Sequence, residues 1–223
     1  MNKIYPILLA TLLFLNKGTA QTKIAVMGSY NYTTARVHYI NESLGTDVKQ
    51  PNGFKNGFGL GIMFKVPFDD VLHFSPYISL HKRGYSFKPV ADTIAKYDNS
   101  MYYVDIVPAL SGDFPVGEKK NTLVLSAGPL IGVGLSGTEK TTKDDVVTSK
   151  KMKFATDGDY SLFDLGLSTG IGFHTPKMFV EVGYMLGHAN INNNFNVLTS
   201  SGTKDLRNIR NRMLTFTLGY YIK

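Results

Sequence analysis

The chain closes on "RMLTFTLGYYIK", Arg212 to Lys223, with Leu214, Phe216, Leu218, Tyr220 and Ile222 at every second position. Thr215, Thr217, Gly219 and Tyr221 lie between them. A period of two puts one greasy row on one face of a β-strand. Chain ends ordinarily fray. A strictly patterned last strand therefore implies a partner that holds it.

The same alternation recurs seven more times, in "KIAVMGSYNY", "GFGLGIMFKV", "FSPYISLHKR", "YYVDIVPALSG", "TLVLSAGPLIGVGL", "FDLGLSTGIGF" and "MFVEVGYMLG". In each, one parity is apolar, as in Phe58, Leu60, Ile62, Phe64 and Val66. The other gathers Gly, Ser and isolated charges. No segment after the first twenty residues has a helical period. The reading is all-β, with eight antiparallel strands.

Those first twenty residues stand apart. "MNKIYPILLATLLFLNKGTA" opens with Lys3, continues apolar to Leu15 and ends Gly18-Thr19-Ala20. This is the layout of a cleaved secretory leader, and its apolar run falls short of the ~20 residues of a spanning helix. The expected division is a signal peptide at 1–20 and one β-barrel domain at 21–223. Cysteine is absent, so no disulfide holds the exported fold together. Lys3 and Lys17 account for two of the 24 basic residues. The remaining 22 face 17 acidic ones. That mild excess suits an anionic surface and, without a basic-aromatic motif, gives no nucleic-acid signature.

Alternation alone does not say which face meets water. Three features decide it. The connections alternate in length: "PFDDVLH", "PVGEKKN" and "HTPK" are short, whereas roughly 33–54, 87–99, 137–159 and 189–209 are long and polar. Short turns on one rim and long loops on the other mark an outer-membrane barrel. The polar face carries Lys65, His81, Arg83, Asp105, Asp164 and Glu181, and a soluble core would not collect such charges. Apolar-face aromatics gather near strand ends: Tyr32, Phe58 and Tyr102 towards the long-loop rim, and Phe64, Phe74, Phe173 and Tyr220 towards the other. That is the pattern of interfacial girdles. A sheet in lipid cannot leave edges unpaired, so the last strand is expected to close antiparallel on the first, with residues 24–28 near 216–220.

These residues resemble the PorT-like outer-membrane β-barrel family of Bacteroidota. The points of likeness are "NGFGLGIMFKVPF", "FSPYISLHKRGYSF", "YYVDIVPALSGDFP", "GPLIGVGLSG" and "RNIRNRMLTFTLGYYIK", in that order along nearly all of the exported chain. Barrels of this kind usually end on an aromatic residue; here Lys223 is last, after Tyr221 and Ile222. The resemblance implies an outer-membrane barrel, in some members beside a protein secretion machine. It carries no catalytic residue.

Chemistry-bearing candidates are few. "GVGLSGTEKT" at 132–141 has Thr138-Glu139 where a phosphate-binding loop needs Lys-Ser/Thr after its glycine. The sequons at Asn31 and Asn41 carry no weight in a bacterial chain. His81 and His188, with Ser86 or Ser200, would be the raw material of a lipid-modifying enzyme at the long-loop rim. Lys140, Lys143, Lys150, Lys151 and Lys153, with Glu139, Asp144 and Asp145, read as a solvated loop. An eight-stranded barrel is only wide enough to be filled by side chains. Lys65, His81, Arg83, Asp105, Asp164 and Glu181 are therefore expected to form a structural ionic plug.

The expectation is an eight-stranded antiparallel up-and-down transmembrane β-barrel of the OmpA/OmpX kind in the cell outer membrane. No catalytic, cofactor-binding or metal residue is assigned and no cofactor is required. The expected partners are outer-membrane lipid and lipopolysaccharide, the barrel assembly machinery during insertion, and a larger outer-membrane secretion complex. The role is structural or accessory, with a small lipid-modifying enzyme or a narrow channel as alternatives.

Overall fold

The computed structural model describes residues 22–41, 46–49, 52–88, 96–117, 120–193, 197–198 and 204–222. The leader at 1–20, Ser200 and Lys223 lie outside the described residues. Eight long strands form a closed ring: β1 (Lys23–Asn41), β2 (Lys55–Pro67), β3 (Tyr77–Phe87), β4 (Lys96–Val107), β5 (Asn121–Lys143), β6 (Phe163–His174), β7 (Met178–Gly187) and β8 (Lys204–Tyr221). Each pairs antiparallel with its chain neighbours, and β8 pairs with β1. In the closing seam Ala25 faces Tyr221, Met27 faces Gly219 and Ser29 faces Thr217.

Two strands are interrupted without losing register. Leu72–Phe74 continues β3 below Ser75-Pro76, and Leu110–Val116 continues β4 beyond Pro108-Ala109. Proline has no N–H to donate to a ladder, and Pro76 and Pro108 lie side by side. The Ser75 amide donates instead to the Ala109 carbonyl at 2.8 Å. Tracing the register laterally from Ile24 through Phe64, Pro76, Pro108, Pro129, Leu167, Leu186 and Arg212 returns to β1 at Thr34, ten residues further on. That stagger is the shear of the barrel and requires the strands to tilt.

The apolar parity faces outward. Leu60, Ile62, Leu165, Ile171, Val180, Leu218 and their neighbours are exposed on the wall. Unpaired apolar surface on this scale is what lipid covers. Tyr30 packs edge-on against Phe58 at 5.9 Å, and Tyr32 stacks on Phe54 at 4.4 Å. Towards the short-turn rim, Phe64, Phe173 and Tyr220 are exposed.

The strands run further than the alternation predicts. Much of 33–54, 137–159 and 189–209 is strand. The inward row continues upward in Ala35, Val37 and Ile209. Those residues lend the wall a core to pack on beyond the membrane. The lysine-rich segment is a hairpin: β5 turns at Asp144-Asp145 into Val146–Met152. Both turn residues have positive φ, 48° and 61°, the geometry of a tight two-residue hairpin turn. A bulge where Leu135 and Ser136 stand against Tyr102 reverses the faces of β5. Above it Gly137 pairs with Met152, whose sulfur fills the space a side chain at 137 would need. At the opposite rim, Asp69 accepts from the Val71 and Leu72 amides at 2.8 and 2.6 Å. The Leu72 and Val71 bonds hold its carboxyl below the usual carboxylate range.

Candidate functional site

The lumen is stacked in layers, from the extracellular mouth, where the long strands end, to the periplasmic floor of short turns. The mouth is apolar. Tyr85, Phe87, Met101 and Tyr103 project inward from β3 and β4, and Ala35, Val37 and Ile209 from β1 and β8. Met152, Tyr160 and Ile191 reach over from outside the eight strands to complete the cluster, with Phe154 and Tyr97 packed against it. Tyr85, Met101, Tyr103, Val37 and Ile191 have no accessible surface.

Beneath it lies an ionic layer. Arg83 donates from Nη1 to Asp164 Oδ2 at 2.9 Å and from Nη2 to Asp105 Oδ2 at 2.5 Å. Its guanidinium carbon sits 4.7 Å from the Tyr103 ring centre, a cation–π contact. Asn211 Nδ2 donates to Asp164 at 2.9 Å. All five residues are buried. His81 Nε2 lies 3.9 Å from Asp105 Oδ2 and 2.8 Å from the Ser79 hydroxyl. The Asn31 amide reaches His81 Nδ1 at 3.0 Å. With Asn31 Nδ2 as the donor, Nδ1 accepts and the ring proton sits on Nε2.

Below this layer the side chains shorten. A cavity of about 40 Å³ is lined by Ser29, Ser79, Ser126, Ser168, Thr215 and Glu181, among others. A water needs ~10–15 Å³ and two to four polar partners. Both conditions are met for a few waters. The Tyr77 hydroxyl bridges to Ser168 at 2.8 Å. The floor is Phe179, Tyr221, Met63 and Ala25. His174 stacks on Phe179 at 4.7 Å between ring centres and meets the Tyr221 hydroxyl at 2.7 Å. Gly219 passes beneath the Phe179 ring, where a Cβ would collide with it. Lys65 pairs with Asp113 at 2.5 Å.

All six residues expected in a plug face the lumen, in three groups. Arg83, Asp105 and Asp164 form one, with His81 beside them. Lys65 is bound to Asp113, which lies outside the six. Glu181 stands apart, 3.9 Å from His174 Nε2. Asp113, Asn211, His174 and Tyr221 escape the sequence reading. Asp113 and Asn211 follow from extending the inward parity one or two steps, and nothing in the sequence signals which partner each takes. His81 lies inside the wall rather than at the long-loop rim, because its parity is inward and both ring nitrogens are engaged. Among the described residues no hydrogen bond joins His81 or His188 to Ser86. The 132–141 segment is unbroken strand within β5, with no turn to cradle a phosphate.

The hairpin lysines have carboxylate neighbours. Lys150 contacts Asp159 at 2.6 Å and Lys153 contacts Asp157 at 3.0 Å. These pairs are solvent-exposed and worth little each.

Similar architecture occurs among solved structures. The outer membrane protein OprG of Pseudomonas aeruginosa aligns over 92% of this chain and 98% of its own, with a TM-score of 0.53 and 12% identity. Ail of Yersinia pestis, solved with the heparin analogue sucrose octasulfate, aligns over 90% and 99% with a TM-score of 0.43 and 13% identity. Neisserial surface protein A covers 88% and 96% with a TM-score of 0.40 and 14% identity. At these identities the likeness to OprG speaks for the fold alone. No curated protein matches the chain. The family model of the outer membrane protein beta-barrel domain matches residues 19–196. With a closed ring of eight strands, a lipid-facing apolar wall and that match over most of its length, the chain belongs to the outer membrane protein beta-barrel domain family.

Proposed function

We propose that this protein is a filled, non-enzymatic outer-membrane barrel, exported by a cleaved leader at 1–20 and folded by the barrel assembly machinery. It acts through its extracellular surface as an accessory component beside a larger secretion or assembly machine. The observation that carries the reading is the pair of consecutive seals across the lumen, the aromatic–methionine mouth and the Arg83 layer beneath it. A lumen closed twice has no continuous aqueous path, which leaves the outer surfaces as the working ones. The raised hairpin ending at Val146 and Val147, each more than 60% exposed, is one of these.

Planar-bilayer recording tests the closed lumen. Purified protein should show no unitary conductance, and steady channels in the wild type would replace this reading with the narrow channel. A photo-crosslinker at Val147 tests the partner. It should yield a discrete high-molecular-weight adduct in native outer membranes, and the same probe at lipid-facing Ile62 should not. Adducts with lipid alone at both positions would remove the accessory role.

A further inference from the structure

We infer that the outer wall of the β1–β8 seam carries a binding site for the phosphate group of an outer-leaflet lipid, formed by Arg36, Arg210 and Arg212. The inference stands on the outer-membrane assignment and is independent of whether the lumen conducts.

The first support is register. Arg36 lies directly across the ladder from Arg210, and Arg212 across from Thr34. The lumen side of the same stretch is taken by Ala35, Val37, Ile209 and Asn211, all buried. The three arginines therefore share the outward parity. Like charges directly opposite on neighbouring strands destabilise a sheet. An anion between them reverses the sign of that interaction.

The second is the lack of acidic partners. Lys55 pairs with Asp98, Lys65 with Asp113, Arg83 with two aspartates, Lys150 with Asp159 and Lys153 with Asp157. Among the described residues no carboxylate bridges Arg36, Arg210 or Arg212. The partners they do have are acceptors on the same strands: Arg36 Nε donates to His38 Nε2 at 2.5 Å, and Arg210 Nε to the Asn208 side-chain oxygen at 3.2 Å. Arg212 Nε is shielded from solvent and has no acceptor. The fork ends of three guanidiniums stay free for oxygen ligands, and a planar fork fits phosphate bidentately.

The third is position, which selects a lipid over other phosphorylated molecules. Descending the outward row of β8, the residues are Arg210, Arg212, Leu214, Phe216, Leu218 and Tyr220. On β1 they are Arg36, Thr34, Tyr32, Tyr30, Gly28 and Val26. The change from basic to apolar comes at one level on both strands, at the extracellular end of the lipid-facing wall. A lipid whose phosphate sits on the arginines would lay its acyl chain along Leu214, Phe216 and Leu218. A free phosphate would use only the upper half of that surface.

The experiment compares wild type with the triple variant Arg36→Gln, Arg210→Gln, Arg212→Gln, refolded into phosphatidylcholine vesicles with increasing fractions of diphosphorylated lipid A. The readout is the temperature at which the heat-modifiable gel shift is lost. For wild type the midpoint should rise with lipid A. The variant should need about tenfold more lipid A for the same rise. In phosphatidylcholine alone the variant should melt no lower than wild type, since it is relieved of the Arg36–Arg210 repulsion. A Lys140→Gln, Lys151→Gln variant should keep the full response. Equal responses from wild type and the triple variant would overturn the site. So would an equal rise in wild type given inorganic phosphate over phosphatidylcholine, since the ligand would then be free phosphate.

Discussion

The two halves of the lumen solve the same filling problem in opposite ways. The extracellular half has an apolar layer, with Tyr85, Tyr103, Met101, Val37 and Ile191 sealed from solvent and Met152, Tyr160 and Ile191 supplied from outside the eight strands, beside a cavity of about 110 Å³ edged by Glu139, Lys150 and Asn192. The periplasmic half encloses a cavity edged by hydroxyls and glycines above an apolar floor of Phe179, Tyr221, Met63 and Ala25. The wall is the same on both sides of the boundary, so the difference lies in what the connections contribute. The extracellular segments are long enough to fold back into the mouth. The periplasmic turns are too short to do so, and a cavity large enough for a few waters is left. The Arg83 layer marks the boundary.

Breaking the boundary should have the largest effect. Arg83→Met leaves Asp105 and Asp164 facing each other without a cation, and removing one partner of a buried pair costs about 3–5 kcal/mol. Urea unfolding in bilayers measures it. Adding Asp105→Asn to Arg83→Met should recover part of the loss. A cost near zero for the single variant would mean that water reaches the layer and that the two halves are continuous.

The outer wall sets the reference for both halves. Ile62→Arg places a charge on the lipid face well inside the apolar band and should cost about 2–4 kcal/mol. Unchanged stability of this variant in bilayers would invert the assignment of faces.

The contrast itself is tested by truncation. Ile191→Ala in the dry half removes a fully buried aliphatic side chain and should cost about 2–4 kcal/mol. Ser168→Ala in the wet half removes a hydroxyl that water can replace, and should cost about 0.5–1.5 kcal/mol. Equal costs in the two variants would erase the distinction.

The smallest effect belongs to the turns that leave the lower half unfilled. Asp69 has its carboxyl lowered by backbone bonds in the folded turn. Its contribution is therefore present above the unfolded carboxylate pKa and lost as pH falls through the lower folded value. Protection of the Val71 and Leu72 amides, taken relative to their intrinsic exchange rates, should fall below about pH 4. In Asp69→Asn that acid-dependent step should be absent. An unchanged step in the variant would assign it to other groups.

Much of this was legible in the chain. The alternation in "GFGLGIMFKV" or "RMLTFTLGYYIK" gives strand, face and closure together, because a lipid-facing row and a lumen row must differ in chemistry. The inward positions of Lys65, Arg83, Asp105 and Asp164 follow from parity alone. Their pairing does not. Lys65 takes Asp113, outside the six, because shear slides neighbouring strands along one another, and single-sequence periodicity is blind to stagger. The bulge at Leu135-Ser136 hides for the same reason: it changes phase without changing composition. The apolar mouth was missed because Met152, Tyr160 and Ile191 lie in segments that look merely polar and long.

The closing seam has a consequence for the order of events during assembly. The β1–β8 ladder runs from Ala25 opposite Tyr221 to Asn41 opposite Asp205, matched in extent only by the β4–β5 hairpin with its continuation. It also joins residues at the greatest separation along the chain. Loop-closure entropy grows only slowly with separation, but contacts this distant form late, since the intervening strands must first find their neighbours. Consecutive hairpins should thus zip early and cheaply, and the rate-limiting step is the meeting of two long free edges. Once they engage, every further pair formed is a gain, so the last event is also a steep one. A substitution inside this seam, such as Met213→Pro, should lengthen the lifetime of an unclosed sheet far more than the same change in β6 or β7, even if both end in the same barrel.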